Sequence, residues 1–186
     1  KKKIGTQYDS YSKLDIFNEK EYKKLVLLCN KYKIEFMSTP FDEAAVDMLV
    51  RIGCKGFKVA SCDINNYPLL EKISKTKKPI LLSTGASNLE EIKKTVSFLK
   101  KRGVKKLCIM QCTLSYPTKK KDANLNVISQ LNRTFKDYLI GFSDHTLGIN
   151  APIASVALGA RVIEKHYTID KKLKKSADHW LSVNPK

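Results

Sequence analysis

The chain has 186 residues, long enough for one domain with a real core. Hydrophobic residues make up 42% and charged residues 28%, which excludes a disordered chain, and no apolar run reaches membrane-spanning length. The net charge is +17, but the lysines fall in short clusters (Lys1–Lys3, Lys119–Lys121, Lys171–Lys175) without interleaved aromatics, so solvated faces are favoured over a nucleic-acid reader.

In chain order, Lys1–Asn18 is polar and aperiodic. Glu19–Lys33 carries Leu25, Val26, Leu28 and Cys29 on one face and predicts a helix. Ile34–Thr39 reads as a strand stopped by Pro40. Asp42 is placed to cap a helix over Asp42–Ile52. A strand over Phe57–Ser61, a helix over Tyr67–Thr76 and a strand over Pro79–Ser83 follow. Ser87 and Glu90 have capping-box spacing for a helix running to Lys101. Lys106–Cys112 is a strand, Thr113–Lys121 a polar loop, and Ala123–Phe135 a helix. The strand Gly141–His145, the Ala- and Ile-rich helix Leu147–Gly159 and the strand Val162–His166 complete the pattern, and Lys171–Lys186 reads as loop.

Strand and helix therefore alternate six times, the signature of an α/β protein with a parallel sheet. Two closures fit: an open doubly wound sheet, or a TIM (β/α)8-type barrel. Nearly every strand ends in a polar side chain, and no GxGxxG or Walker A sequence is present, which favours the barrel. A full barrel needs eight units, so six make a partial one.

His145 and His166 end two strands and stand 21 residues apart, about one βα repeat. Parallel neighbours would bring both imidazoles to one end of the sheet, an arrangement suited to one divalent metal with positions open for water and substrate. Two histidines that merely finish core strands are the plainer alternative. Other strand ends supply Ser38, Thr39, Ser61, Asp63, Ser83, Thr84, Gln111, Thr113, Ser143 and Glu164. Ser83-Thr84-Gly85 suits a phosphate, because Gly85 permits close backbone approach. Asp63 has the chemistry of a general base or of a group that orients a hydroxyl, though capping the next helix serves equally. Tyr116 lies in a long loop after a strand, where barrels place substrate contacts. Five cysteines, an odd number without CxxC spacing, argue for free thiols in a reducing compartment and thus a cytoplasmic location.

Several motifs occur together and in order: Phe36-Met37-Ser38-Thr39-Pro40-Phe41, Phe57-Lys58-Val59-Ala60-Ser61, Leu82-Ser83-Thr84-Gly85, Gln111-Cys112-Thr113 with Tyr116-Pro117-Thr118, Gly141-Phe142-Ser143-Asp144-His145-Thr146-Leu147-Gly148 and Glu164-Lys165-His166. The ordered set resembles the sialic acid synthase family, which makes N-acetylneuraminate, legionaminate and pseudaminate. The resemblance implies a TIM barrel followed by a small antifreeze-like domain, and condensation of phosphoenolpyruvate with an N-acylated amino sugar such as N-acetylmannosamine. It implies a divalent metal, Mn2+ with Mg2+ and Co2+ as alternatives, held by His145 and His166. It assigns Ser61, Ser83 and Ser143 to phosphoenolpyruvate, Asp63 to the acidic position near the reacting carbons, Tyr116 to the sugar side, and Asp178 to sugar hydroxyls. It also implies a homodimeric parent without membrane attachment.

By the same resemblance, residues 1–186 lack the barrel's first two strands and the antifreeze-like domain, and the isolated piece is expected to be inactive. Leu114 stands where the family has a small or amide residue, and Ser176-Ala177-Asp178-His179 stands for Gly-Pro-Asp-His. The Asp178–Ser182 stretch leans toward the legionaminate or spore-coat branch. A related metal-dependent barrel aldolase and a non-catalytic basic binding protein are the alternatives.

Overall fold

The computed structural model describes residue 12, residues 16–173 and residues 178–185. Ser176, Ala177 and most of the polar opening stretch fall outside them. The described elements are α1 (Glu19–Lys31), β1 (Met37–Ser38), α2 (Glu43–Arg51), β2 (Gly56–Val59), α3 (Tyr67–Lys75), β3 (Ile80–Ser83), α4 (Leu89–Lys101), β4 (Leu107–Cys112), α5 (Asn126–Thr134), β5 (Leu139–Asp144), α6 (Asn150–Ala157) and β6 (Val162–Lys165). The six strands form one parallel sheet in the order β1-β2-β3-β4-β5-β6. Sequential order with a helix between most neighbours is what repeated right-handed βα units produce.

Alternation gives each strand two faces. Phe57, Val59, Ile80, Leu82, Leu107, Ile109, Ile140 and Phe142 form one face and share a continuous core with Leu49, Leu69, Ile73, Ile92, Leu99, Ile128 and Leu131 from the helices. Phe57 and Phe142 are fully buried there, and each contributes about 1.5–3 kcal/mol by leaving water. The other face carries Lys58, Ser83, Cys108, Met110, Cys112, Ser143 and Glu164. That face is concave. Lys58 on β2 and Glu164 on β6 make an ion pair at 3.4 Å. In a flat sheet, four spacings of about 4.8 Å would hold these strands roughly 19 Å apart, beyond the reach of the two side chains. The sheet is therefore a curled half-barrel, and the open doubly wound closure is excluded.

The element boundaries differ from expectation where side chains or left-handed residues intervene. The capping box of α4 is formed by Asn88 and Glu91, not Ser87 and Glu90: the Glu91 amide donates to Asn88 Oδ1 at 3.0 Å and the Asn88 amide to Glu91 Oε2 at 2.8 Å. The Ser87 amide instead closes the preceding turn onto the Thr84 carbonyl. Asn124, at φ 48°, delays α5 until Asn126, and Gly148, at φ 78°, delays α6 until Asn150. The strand expected from Ile34 shortens to Met37–Ser38, because the Ile34 amide still caps α1 on the Cys29 carbonyl. The described part of the tail is turn and loop as expected, tied beside β6 by one isolated parallel bridge between Tyr167 and Val183. Asp42 caps α2 as expected, accepting from the Ala45 amide at 2.7 Å.

Gly141 packs closely against β6. A Cβ there would lie 2.8 Å from the Val162 carbonyl oxygen and 3.1 Å from Cys108 Sγ, so backbone rather than a flexible side chain would have to shift. We expect Gly141→Ala to destabilise the fold by about 1–3 kcal/mol in urea denaturation. Unchanged stability would contradict this packing.

Candidate active site at the strand ends

The register of β5 and β6 pairs Ser143 with Glu164 and Asp144 with Lys165. One step further along both strands come His145 and His166. Their rings meet edge to face, with centroids 5.4 Å apart. Tyr116 joins them from the loop after β4: its ring lies 4.0 Å from that of His145 and 5.8 Å from that of His166. Asp178 approaches from the tail, with Oδ2 3.6 Å from His166 Nδ1. The tail reaches this point because the Val183 amide donates to the His166 carbonyl and the Thr168 amide to the Val183 carbonyl, both at 2.8 Å. Four residues from four stretches of the chain thus converge.

His145 is buried, and its Nδ1 lies 3.0 Å from the Thr113 carbonyl oxygen. A carbonyl only accepts, so Nδ1 carries the hydrogen and donates. In the neutral ring Nε2 is then the bare nitrogen, the form a metal requires. Burial lowers the pKa of His145, outweighing the opposite pull of the Thr113 bond. The ring is therefore neutral at ordinary pH. Among the described residues no group of three or more His, Cys, Asp and Glu side chains gathers as a metal cage. An ion held here would draw its nitrogen donors from the imidazole pair.

The remaining expected residues stand at or near the ends of β2, β3 and β5. The Ser61 hydroxyl accepts from the Gly85 amide at 2.9 Å, which leaves its own proton to donate. A Cβ on Gly85 would stand 3.0 Å from Ser61 Oγ and 3.0 Å from the Cys112 carbonyl oxygen, so the glycine is needed for this close approach. Ser83 is buried, and its Oγ has no hydrogen-bond partner among the described residues. Ser143 is buried two residues before His145, on the same face of the strand. Asp63 sits in a short 3-10 turn after β2 and accepts from Asn66 Nδ2 at 3.1 Å. Its bonds from Cys62 and Asn66 tie it to its own turn.

Two features escape sequence reasoning. Lys58 extends into the concavity with only 12% of its side chain exposed, and its charge is matched by Glu164. A lone lysine inside an otherwise apolar strand was the available signal. Asp144 and Lys165 form a buried ion pair beside the histidines. Only knowledge of the strand register reveals that pair.

Comparison with known proteins places the chain among relatives of known family. A family model described as the NeuB family matches residues 1–186. An uncharacterized protein of Methanocaldococcus jannaschii is 45% identical over 183 residues, covering 98% of this chain and 53% of that protein. The N,N'-diacetyllegionaminic acid synthase of Campylobacter jejuni is 43% identical over 182 residues, covering 97% of this chain and 54% of the synthase. The crystal structure of an N-acetylneuraminic acid synthetase from Leptospira borgpetersenii, in complex with citrate, superposes with a TM-score of 0.87 at 40% identity, covering 91% of this chain and 58% of that one. The chain spans about half the length of the curated relatives it matches.

The lowered pKa of His145 has a signed consequence. Its contribution to stability is fully present above the unfolded value of about 6.5 and is lost as pH falls through the lower folded value. We expect the His145 ring to titrate below about 6.5 by NMR, and the pH dependence of unfolding in this range to flatten in His145→Phe. A midpoint at or above that value would contradict the buried, neutral ring.

Proposed function

We propose that this chain, which belongs to the NeuB family, contributes the catalytic strand ends of a synthase that condenses phosphoenolpyruvate with an N-acylated amino sugar of the N-acetylmannosamine class. The products are a nonulosonic acid and inorganic phosphate. The observation that carries this reading is the convergence of His145, His166, Tyr116 and Asp178 at one end of a curled parallel sheet. It is supported by the N,N'-diacetyllegionaminic acid synthase and N-acetylneuraminate-9-phosphate synthase names of the relatives. The legionaminate-type acceptor is the favoured member of the substrate class, since that Campylobacter jejuni enzyme shares 43% identity with this chain.

In this reading His145 and His166 hold a divalent cation, Mn2+ in the first instance with Mg2+ or Co2+ as substitutes. When bound, the ion supplies Lewis-acid polarisation of the open-chain sugar aldehyde. The C3 carbon of phosphoenolpyruvate attacks the aldehyde carbon, water adds at C2, and phosphate leaves as the C2–O bond breaks. The chain's own residues hold the anions. Lys58 offers a largely buried ammonium, Ser83 a hydroxyl without a partner among the described residues, Ser61 a donor beside Gly85, and Ser143 a further donor at the end of β5. Such preorganised donors are worth most where water is excluded. Tyr116 covers one side of the histidine pair, and Asp178 accepts from sugar hydroxyls beside His166. Asp63, fixed by Asn66, is assigned to orienting a substrate hydroxyl at the mouth of β2.

The test is phosphate release by the full-length protein supplied with phosphoenolpyruvate, Mn2+ and N-acyl amino sugars. We expect release that depends on both sugar and metal and that falls to background in His166→Ala. Release independent of the sugar, or undiminished by the substitution, would overturn the assignment.

A further inference from the structure

Each of the two histidines is preceded by one member of a buried ion pair. Asp144 has no exposed side-chain surface and Lys165 has 10%. The two are register partners on β5 and β6, so their pairing spans the same two strands that carry His145 and His166. Strand alternation puts them on the face opposite Ser143 and Glu164, away from the concavity. They act on the histidines through the backbone. The Lys165 ammonium donates to Asp144 Oδ2 and to the Thr146 carbonyl, the latter at 2.7 Å. The other carboxylate oxygen, Oδ1, accepts from the Thr146 amide at 2.8 Å. Thr146 also forms a parallel bridge with Thr118, whose amide donates to the His145 carbonyl at 2.9 Å. One ammonium therefore joins the residue before His166 to the residues on both sides of His145.

We propose that Asp144 and Lys165 are positioning residues for the histidine pair: they fix the relative height and spacing of the two strand ends so that both imidazoles reach one divalent cation. This rests on the reading that His145 and His166 hold that cation. A sheet edge has no fixed height of its own, because backbone pairing alone tolerates small shifts beyond the last ladder bond. The ladder here ends at Asp144 and Lys165, one residue short of both ligands. Tying that last pair together removes the remaining freedom at the point where the ligands begin. Groups that orient ligands without touching the metal commonly govern affinity by about 10- to 100-fold.

The test separates positioning from stability. Removing one partner would leave a buried charge uncompensated and unsettle the fold, whereas removing both charges in similar volume is often tolerated. The informative variant is accordingly Asp144→Asn with Lys165→Met, examined by thermal unfolding and by calorimetric titration with Mn2+ in the purified protein. We expect unfolding close to that of the unmodified protein and Mn2+ affinity about 10- to 100-fold weaker. Unchanged affinity in the folded double variant would overturn the proposal and leave the metal reading intact. Mn2+ binding that is absent from the unmodified protein, or is insensitive to His145→Ala, would overturn both. Should the double variant not fold, Lys165→Arg keeps the charge pair but changes its donor geometry. There the account expects a retained fold with affinity weakened about tenfold, and unchanged affinity overturns it.

Discussion

The curl of the parallel sheet is the constraint on which everything else depends. It is recorded in one contact, the ion pair between Lys58 and Glu164, whose strands are separated by three others. The curl follows from a division of labour between the two faces. The convex face is apolar up to the Asp144–Lys165 pair at its end and seals against the helices, with Phe57, Ile80, Leu82, Ile109 and Phe142 fully or nearly fully buried. The concave face is chemically mixed, with sulfur, hydroxyl and charge directed inward. A lysine is tolerated there because Glu164 compensates it and because the ion pair lies at a partly open surface.

The site is the concave face continued past the ends of its strands. Parallel strands all finish on the same side of the sheet, and a histidine placed one residue beyond each of two neighbouring strands must meet its counterpart. The loop after β4 and the tail after β6 both bend over this point and are pinned to it by backbone pairing, Thr118 with Thr146 and Val183 with Tyr167. Tyr116 and Asp178 are carried there by these two bridges. The Thr113 carbonyl, at the start of the first loop, selects the tautomer of His145. Loop position and ligand chemistry are therefore set by the same few hydrogen bonds.

Much of this was legible in the sequence, for identifiable reasons. The six βα units show because apolar runs of strand length recur every 21 to 33 residues with helical patterns between them, and the paired histidines show because each closes such a run. The ordered motifs brought Tyr116 and Asp178 into consideration, and the structure puts both beside the histidines. What was hidden depends on register or on left-handed residues. The capping residue of α4 moved from Ser87 to Asn88 because two neighbouring residues can each cap, and only the turn at Thr84 decides between them. The partnership of Asp144 with Lys165 and that of Lys58 with Glu164 cannot be read along a chain, since the first needs the strand alignment and the second the curl. Asp63 is where the sequence put it, but its carboxylate is engaged within its own turn.

The central claim is that two histidines on adjacent strand ends serve one metal ion. Pulsed electron paramagnetic resonance on the Mn2+-loaded protein, prepared with 15N-labelled histidine, reads this directly. The account predicts hyperfine coupling to two histidine nitrogens, reduced to one in His145→Ala and in His166→Ala separately. Coupling to none, or coupling that survives in the double His145→Ala, His166→Ala variant, would contradict it.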